Sequence, residues 1–352
     1  MTWKAKGASI VFQQLKGGYV KPYKNKQSDK NSVAKLEKLT LGNVTQWITI
    51  RGKNKDLPIL LFLHGGPGSP QTGAQMKYNA DLEENFLVVN WDQRGSGKSY
   101  TSEVTPESMN VEQLLSDCHE LVKYLTTQFR QKKVFLMGHS VGAVLGLLFV
   151  QKFPELIEAY VGINQPVKRA EEEIRSYQYA LSIAKEKNHK KAILQLERIG
   201  SPKNGFYHSV DDLVTQRTWL TKFNGVTYKL KAVSVNIHYI LSSHLTLKEK
   251  LSFMKGFGFS STHLWDEITK INFFQLVSDV KVPVYFIAGK HDRIVFSDRL
   301  KEYYDFLKAP KKEIYYFEES GHYACFEEAN KFNLIMKEVK NNHLSKNKME
   351  VI

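Results

Sequence analysis

The sequence has few of the residues that would cross-link or interrupt a folded chain. Of its 352 residues only two are cysteine, which excludes a disulfide scaffold and favours a reducing compartment, taken here to be the cytoplasm. With 10 prolines and 22 glycines, the chain is neither collagen-like nor of low complexity. Its 11 histidines form no HExxH motif and no ligand-spaced cluster with cysteine, so we expect no structural or catalytic metal.

Long apolar runs are also missing. The longest, Leu57–Leu63 and Val141–Val150, are well short of the roughly 20 residues that span a bilayer. We expect no secretory signal, because Gln13 and Gln14 break the apolar stretch near the N-terminus. With 42% hydrophobic and 24% charged residues, the composition is that of a soluble globular protein. At roughly 150 residues per domain, the length fits two units or one large domain with an insertion.

The positive charge is concentrated at the two ends. The net charge is +14, and residues 1–35 contain eight lysines against one aspartate, while residues 331–352 contain five lysines against two glutamates. We predict a basic N-terminal arm at 1–32 and a basic C-terminal tail at 341–352, both solvated. Weak contact of the arm with an anionic membrane surface is the alternative interpretation. No aromatic-interleaved basic stripe is present, so we expect no nucleic-acid partner. The sequence does not indicate an oligomeric state.

Short buried-strand patterns alternate with helical patterns, stop, and then resume. Residues 167–272 are helix-like, charged and aromatic, and the strand signals return after them. Such an interrupted alternation predicts an α/β protein whose mostly parallel sheet has flanking helices and a helical insertion at 167–272, with the core at 33–166 and 273–340. The predicted strands are Val33–Leu41, Val44–Arg51, Pro58–Leu63, Phe86–Trp91, Val134–Met137, Ile157–Ile163, Val282–Ala288 and Glu313–Phe317; the predicted core helices are Val111–Phe129 and Val141–Phe153, and a further short element is predicted at Ala8–Leu15.

The strongest chemical signal is Gly138-His139-Ser140-Val141-Gly142, which lies between a predicted strand and an apolar helix. This is the context that a G-x-S-x-G nucleophile elbow requires, because the serine must sit on a sharp turn above the sheet. The flanking glycines let the strand and the helix approach each other closely. Ser140 is therefore the candidate nucleophile of an acyl transfer.

A second motif, His64-Gly65-Gly66-Pro67-Gly68, follows the first buried strand. Acyl transfer places negative charge on a carbonyl oxygen, which two fixed backbone N–H groups can stabilise. We assign one donor to the segment around Gly66 and the other to the N–H of Val141. A simple chain-reversing turn is the alternative interpretation of the glycines.

A serine nucleophile needs a base, and the base needs an orienting acid. In the architecture that carries such an elbow, the acid and then the histidine follow the serine along the chain. Asp292 follows the strand Val282–Ala288, and His322 follows the next strand at the same sheet edge, where ligands of such sheets gather. His291 is the rival base, but it adjoins the acid. This machinery requires no cofactor.

The segment 91–99, WDQRGSGKS, resembles a fragment of a phosphate-binding loop. The first glycine of that motif would fall at position 92, which is aspartate, so we reject nucleotide binding. We predict instead that Asp92 and Arg94 fix this strand-end loop beside the site through charge-assisted hydrogen bonds.

Together, HGGPG, WDQRGSGKS and the elbow, in that order, resemble the α/β-hydrolase fold and, more narrowly, the prolyl iminopeptidase group of serine peptidases. The resemblance covers about residues 40–165 and 275–335. It implies a helical cap over the sheet edge, which the insertion would supply, and release of an N-terminal residue from short peptides or amides. It departs from the group at His139 and Val141, where the group commonly has glycine and an aromatic residue.

The resemblance also implies that glutamates of the cap bind the free amino group of the substrate. Glu172, Glu173 and Glu267 are the candidates, and Trp219 is a candidate for lining the pocket. A solvated helix face and packing within the cap are the alternative interpretations of these residues. Two other functions stay open: an esterase with the same machinery, and a non-enzymatic ligand-binding protein of this fold.

Overall fold

The computed structural model describes residues 31–231 and 233–349 and is built on one eight-stranded sheet. Its strand order is β1-β2-β4-β3-β5-β6-β7-β8; β1 pairs with β2 and β2 with β4 in antiparallel fashion, and all other pairs are parallel. The predicted α/β class with a mostly parallel sheet is therefore confirmed. The predicted element at Ala8–Leu15 lies outside the described residues, as do positions 1–30 of the predicted arm. The strands are β1 Val33–Leu41, β2 Val44–Gly52, β3 Ile59–Leu63, β4 Leu87–Asp92, β5 Val134–His139, β6 Ile157–Ile163, β7 Val284–Gly289 and β8 Lys312–Phe317.

The central strands are apolar on both faces because helices cover both sides of the sheet. Every residue of β3 is buried, and its side chains alternate between two cores: Leu61 and Leu63 belong to one, Leu60 and Phe62 to the other. At the edge, the β1–β2 hairpin turns at Gly42 and Asn43. Both have positive φ, 52° and 64°, as a type I′ turn requires.

The helices fall into those that cover the sheet and those between β6 and β7. The first core contains apolar residues of α2, α3 and α10, and the second contains residues of α1 and α12. Helices α4 to α8 occupy the predicted insertion. The helices are α1 Thr72–Tyr78, α2 Val111–Gln128, α3 Val141–Lys152, α4 Arg169–Glu186, α5 Lys190–Ile199, α6 Val210–Lys222, α7 Val233–Ile240, α8 Leu247–Thr269, α9 Phe273–Leu276, α10 Ser297–Phe306, α11 Ala324–Glu327 and α12 Ala329–Met349.

The insertion has a small apolar core of its own. Residues of α4, α5 and α6 form a separate buried cluster that includes Trp219. Helix α8 reaches back to the sheet, since the Ser260 hydroxyl donates to the Gly95 carbonyl at 2.9 Å. The division of the chain into core, cap and tails stays a prediction, although α12 continues past position 341 and its His343 bonds the Tyr285 hydroxyl.

No helix in the described ranges is long and apolar enough to cross a membrane. Cys118 and Cys325 are both free and buried.

Candidate active site

The candidate residues converge where the strand order reverses. After β3 the chain steps outward to β4, and then it returns to add β5 on the other side of β3. In open α/β sheets, ligands bind at the carboxyl ends of the strands at such a switch point. The ends of β3 and β5 pair there, Leu63 with Gly138, so the segments that follow them start side by side.

Ser140 occupies the strained turn that the motif predicts. Its φ of 55° and ψ of −121° are unfavourable for a residue with a side chain, and it connects β5 directly to α3. Close packing holds the turn: a Cβ on Gly142 would lie 2.1 Å from the Leu63 carbonyl oxygen, and one on Gly138 would lie 2.4 Å from the Gly142 carbonyl oxygen. Only glycine fits at these two positions, so the strand and helix pin the serine at the sheet edge.

Ser140, His322 and Asp292 form one continuous hydrogen-bonded chain. The distance from Ser140 Oγ to His322 Nε2 is 2.9 Å, and that from His322 Nδ1 to Asp292 Oδ2 is 2.7 Å. Since Nδ1 donates to the carboxylate, Nε2 is left to accept the serine proton. All three residues are buried. The arrangement can deprotonate the hydroxyl as it attacks a carbonyl.

The Asp292 carboxylate accepts hydrogen bonds from several directions. Its Oδ1 accepts from the backbone N–H groups of Ile294 at 2.7 Å and Val295 at 3.0 Å, and its Oδ2 also accepts from Asn164 Nδ2 at 2.8 Å. The same Asn164 amide donates to the Gly321 carbonyl beside His322 at 3.1 Å. Asn164 was not among the sequence-based candidates, and its position directly after β6 is the signal that could have identified it.

The segment predicted to supply an oxyanion donor lies against the elbow. A Cβ on Gly65 would lie 3.0 Å from the His139 carbonyl oxygen and 3.1 Å from the Ser140 Cβ, and the next residue, Gly66, has a φ of 123°. Val141 is the first residue of α3, where a backbone N–H has no acceptor within the helix. Two N–H groups near the serine are thus candidates for stabilising a negative oxygen.

His139 links the nucleophile segment to the segment of the candidate base. Its Nε2 donates to the His322 carbonyl oxygen at 2.6 Å, and its Nδ1 accepts from Gln71 Nε2 at 3.0 Å. Burial and the neighbouring His322 lower the pKa of His139 to about 3, so its ring is neutral near pH 7. Sequence reasoning assigned it no role; a histidine at this position of the elbow was the only signal.

The loop after β4 is fixed as predicted for Asp92 and Arg94. The Arg94 guanidinium forms a buried, bidentate ion pair with Asp117 of α2 at 2.7 and 2.8 Å. Asp92 Oδ2 accepts from the Lys98 N–H at 2.9 Å and from the Tyr239 hydroxyl of α7 at 2.6 Å. Burial nevertheless raises the pKa of Asp92 to about 6. These bonds tie α2 and α7 to the loop.

The two candidate glutamates of α4 already have partners. Glu172 pairs with Arg169 at 3.0 Å, and Glu173 pairs with both Arg169 and Arg217. Burial opposes the negative charge of Glu173, but the two arginines outweigh it and lower its pKa. An ammonium group of a substrate would have to displace a guanidinium to bind either carboxylate.

The other two candidates lie elsewhere. Glu267 is exposed on α8, and its carboxylate accepts from the Val111 N–H at the start of α2 at 2.8 Å. Trp219 is 2% exposed within the cap cluster, and its Nε1 donates to Gln195 at 2.8 Å. The structure thus brings together Ser140, Asp292, His322 and the two oxyanion segments. His291, the rival base, donates to or accepts from no member of that group and lies with its Nε2 at 3.0 Å from the Glu318 carbonyl oxygen.

A small apolar cavity adjoins the elbow. Val141, Val144 and Leu145 of α3 form one wall, Leu264 and Ile268 of α8 form another, and its volume is about 10 Å³. That is room for about one water molecule. A substrate group larger than a methyl therefore fits only if some of these walls move.

Comparison with known proteins gives one family and several relatives. The family model described as serine aminopeptidase, S33, matches residues 43–214. The probable aminopeptidase YbaC of Bacillus subtilis is 36% identical over 307 residues, which cover 86% of this chain and 95% of that protein. A putative proline iminopeptidase of Mycoplasma genitalium is 30% identical over 143 residues, covering 41% of this chain and 39% of that protein.

Two solved structures share the fold. A proline iminopeptidase-related protein of Thermus thermophilus has a TM-score of 0.61 at 18% identity, covering 88% of this chain and 98% of that one. The proline iminopeptidase of Mycobacterium smegmatis has a TM-score of 0.62 at 16% identity, with the same coverage. At this identity the likeness shows the fold alone.

Proposed function

Because this chain belongs to the S33 serine aminopeptidase family of α/β-hydrolases, and is therefore a hydrolytic enzyme, we propose that it acts through an acyl-enzyme formed on Ser140. The hydrogen-bonded chain from Ser140 through His322 to Asp292 is the observation that carries the proposal. Residues from three separate strand ends reach this geometry only when the sheet assembles.

The proposed reaction has two halves. His322 Nε2 takes the proton of Ser140 as Oγ attacks the substrate carbonyl, and the N–H groups of Gly66 and Val141 stabilise the resulting oxyanion. Asp292 keeps His322 in the tautomer with Nδ1 protonated and stabilises the imidazolium. His322 then protonates the leaving group, and water activated by the same imidazole releases the acyl group.

For the substrate, we propose an N-terminal residue of a short peptide or amide, released in the manner of a prolyl iminopeptidase. Support comes from the family and from the relatives named as aminopeptidases. Glu172, Glu173 and Glu267 stay the proposed ligands of the substrate amine. Of these, Glu173 would lose one of its two guanidinium partners if Arg217, whose side chain is 20% exposed, turned outward.

A carboxylesterase activity is the second candidate, and a specific observation favours it. The α4 carboxylates are neutralised by arginines, and the cavity next to the elbow is walled by Val141, Val144, Leu145, Leu264 and Ile268. An uncharged acyl group suits such walls better than an ammonium group does.

A matched substrate panel separates the two candidates. Prolyl and alanyl p-nitroanilides, their N-acetylated forms and short p-nitrophenyl esters should be compared on the wild type and on Ser140→Ala, with the exposed Ser182→Ala as the control. The aminopeptidase proposal expects turnover of the free-amine amides, with kcat/KM at least tenfold above that for their acetylated forms, and loss of turnover only in Ser140→Ala. Good ester turnover without free-amine turnover would instead establish the esterase.

A further inference from the structure

Helix α8 has two dissimilar faces. Its inner face meets the core: Phe253 is buried, Ser260 bonds the Gly95 carbonyl, and Leu264 walls the cavity beside the elbow. Its first half also presents an outer stripe, defined as Leu247, Leu251 and Met254. These three side chains are 60%, 74% and 65% exposed.

The outer stripe is continuous along the helix. At about 100° per residue its members fall within roughly 60° of one another. Gly258 continues the row one turn further, and a Cβ built there would meet nothing within 4 Å. Single exposed apolar residues are ordinary, but three in one row on one helix form a patch without a partner in the described structure.

Positive charge borders the outer stripe on both sides. On the same helical wheel, Lys248 and Lys255 lie on one flank and Lys250 on the other. Glu249, the only acidic residue of this half of the helix, points the opposite way and pairs with the buried Lys98 at 2.8 Å. The outward face is therefore apolar in the middle and cationic at its edges.

The neighbouring helix α7 also exposes apolar side chains on its outer face. Ile237 in α7 and Leu241 just after it are one turn apart and are 43% and 68% exposed, while Tyr239 between them is fully buried. Tyr239 packs with Phe253 in a small core that joins the two helices. Both helices are thus anchored inward, leaving apolar side chains on the outside.

We infer that the outer stripe of α8 docks on an anionic lipid surface, with its apolar side chains among the acyl chains and Lys248, Lys250 and Lys255 at the level of the phosphates. A helix with an apolar strip between lysines has the composition of an interfacial helix. Each lysine near the surface adds attraction to anionic lipid. The net charge of +14 acts in the same direction. A second copy of the chain, carrying the same lysines, would instead meet like charge.

Docking would hold at the lipid surface the helix whose second half walls the cavity beside the elbow. The inference does not rest on the proposed chemistry, since Ser140→Ala should bind lipid as the wild type does. The outer stripe would bring the enzyme to substrates held at a membrane.

Vesicle sedimentation of the full chain tests the inference. Phosphatidylcholine vesicles with and without phosphatidylserine should be compared for the wild type, for Leu247→Ser/Leu251→Ser/Met254→Ser, and for Leu194→Ser/Leu334→Ser, which removes exposed apolar groups elsewhere. We expect the stripe variant to bind anionic vesicles at least about tenfold more weakly than the wild type, and the control variant to match the wild type. Lys248→Gln/Lys250→Gln/Lys255→Gln should lose the preference for anionic vesicles.

Three results would overturn the inference. One is a wild type that binds neither kind of vesicle. Another is a stripe variant that binds as well as the wild type, which would assign lipid binding to charge elsewhere, including the N-terminal lysines. The third is a wild-type dimer that the stripe substitutions convert to monomers, measured by light scattering, without any lipid binding. Equal unfolding midpoints of wild type and variants show that folding is not the cause of a difference.

Discussion

At the scale of single residues, Asp292 has contacts beyond its hydrogen bond to His322. Its second oxygen accepts two backbone N–H groups, from Ile294 and Val295, so both carboxylate oxygens have donors although the side chain is fully buried. The proposed mechanism needs a negative charge on Asp292 to stabilise the imidazolium. A neutral isostere at this position should therefore affect chemistry more than binding.

We predict that Asp292→Asn lowers kcat by about 10³- to 10⁴-fold, with a much smaller change in KM, because His322 would adopt the wrong tautomer. The measurement is steady-state kinetics on the best substrate of the panel, with the exposed Asp56→Asn as the control. A variant with at least a tenth of the wild-type kcat would contradict the assigned role.

His139 is the second residue whose contribution can be measured. Its bond to the His322 carbonyl fixes the backbone of the base, and Gln71 fixes the ring of His139 in turn. We predict that His139→Ala lowers kcat about 10- to 100-fold with little change in KM, because the base is held less firmly near Ser140. It should also shift the apparent pKa of the kcat/KM profile.

The conservative variant separates positioning from mere packing. His139→Gln keeps an N–H that can reach the His322 carbonyl, so it should recover a substantial part of the lost kcat. If His139→Ala and His139→Gln reduce kcat equally and leave the pH profile unchanged, the contact has only a structural role.

The sequence predicts which single residues lie close together best where strand ends and motif order constrain them. Ser140, Asp292 and His322 follow the ends of three parallel strands, β5, β7 and β8, and parallel strands end at one edge, so their proximity was predictable. Glu172 and Glu173 have no such constraint, because a helical, charged segment does not reveal which face it presents or that Arg169 and Arg217 lie opposite. Asn164 and His139 act through contacts between segments distant in sequence, which a single sequence does not reveal.

At the scale of elements, one buried hydrogen bond from α7 to the core runs from the Tyr239 hydroxyl to Asp92. Tyr239→Phe removes that donor while keeping the ring. With its pKa near 6, Asp92 is charged at pH 8 and largely protonated at pH 5. Loss of a hydrogen-bond donor destabilises a buried charged acceptor more than a buried neutral one.

We therefore predict that Tyr239→Phe lowers the free energy of unfolding by about 1.5–3 kcal/mol at pH 8 and by distinctly less at pH 5. Urea unfolding at the two pH values measures this. The exposed Tyr228→Phe, whose ring stacks on His291, is the control. An equal loss at both pH values would show that the bond does not depend on the charge of Asp92.

The strands were predictable because their signals are short, apolar and bounded by turn residues, and every predicted strand appears within about two residues of its predicted bounds. For the segment 167–272 the sequence predicts helix but not its division into α4 to α8. Those helices pack on one another, and no strand ends lie between them to mark where each helix begins and ends. The C-terminal helix continues beyond the predicted start of the tail at 341 because His343 still finds a partner in the core, Tyr285.

At the scale of the whole molecule, the free energy of unfolding should depend strongly on pH below neutrality. Burial lowers the pKa of His64 to about 4, and that of His139 and His244 to about 3. The unfolded chain binds these three protons near pH 6.5, whereas the folded protein does not, so this stability is present above pH 6.5 and is lost as the pH falls toward 4 and 3. Asp92 acts oppositely, because its raised pKa makes the folded protein take up a proton first, near pH 6.

Three histidines against one aspartate leave the unfolded chain with about two more bound protons than the folded protein between pH 6 and 4. The free energy of unfolding should therefore fall by about 3 kcal/mol for each pH unit of acidification. Urea unfolding at half-unit pH intervals measures the slope. His244→Phe should reduce the slope by about one proton's share. A midpoint that does not change from pH 7 to pH 5 would contradict this balance.

The central claim is that one serine, made reactive by the histidine and carboxylate behind it, forms the covalent intermediate. Labelling the folded wild-type protein with a fluorophosphonate and mapping the adduct by peptide mass spectrometry tests it most directly. The account predicts one adduct, on the peptide containing Ser140, that is absent in Ser140→Ala and forms far more slowly in Asp292→Asn. An adduct on a different residue, or none at all on folded protein that turns over substrate, would contradict it.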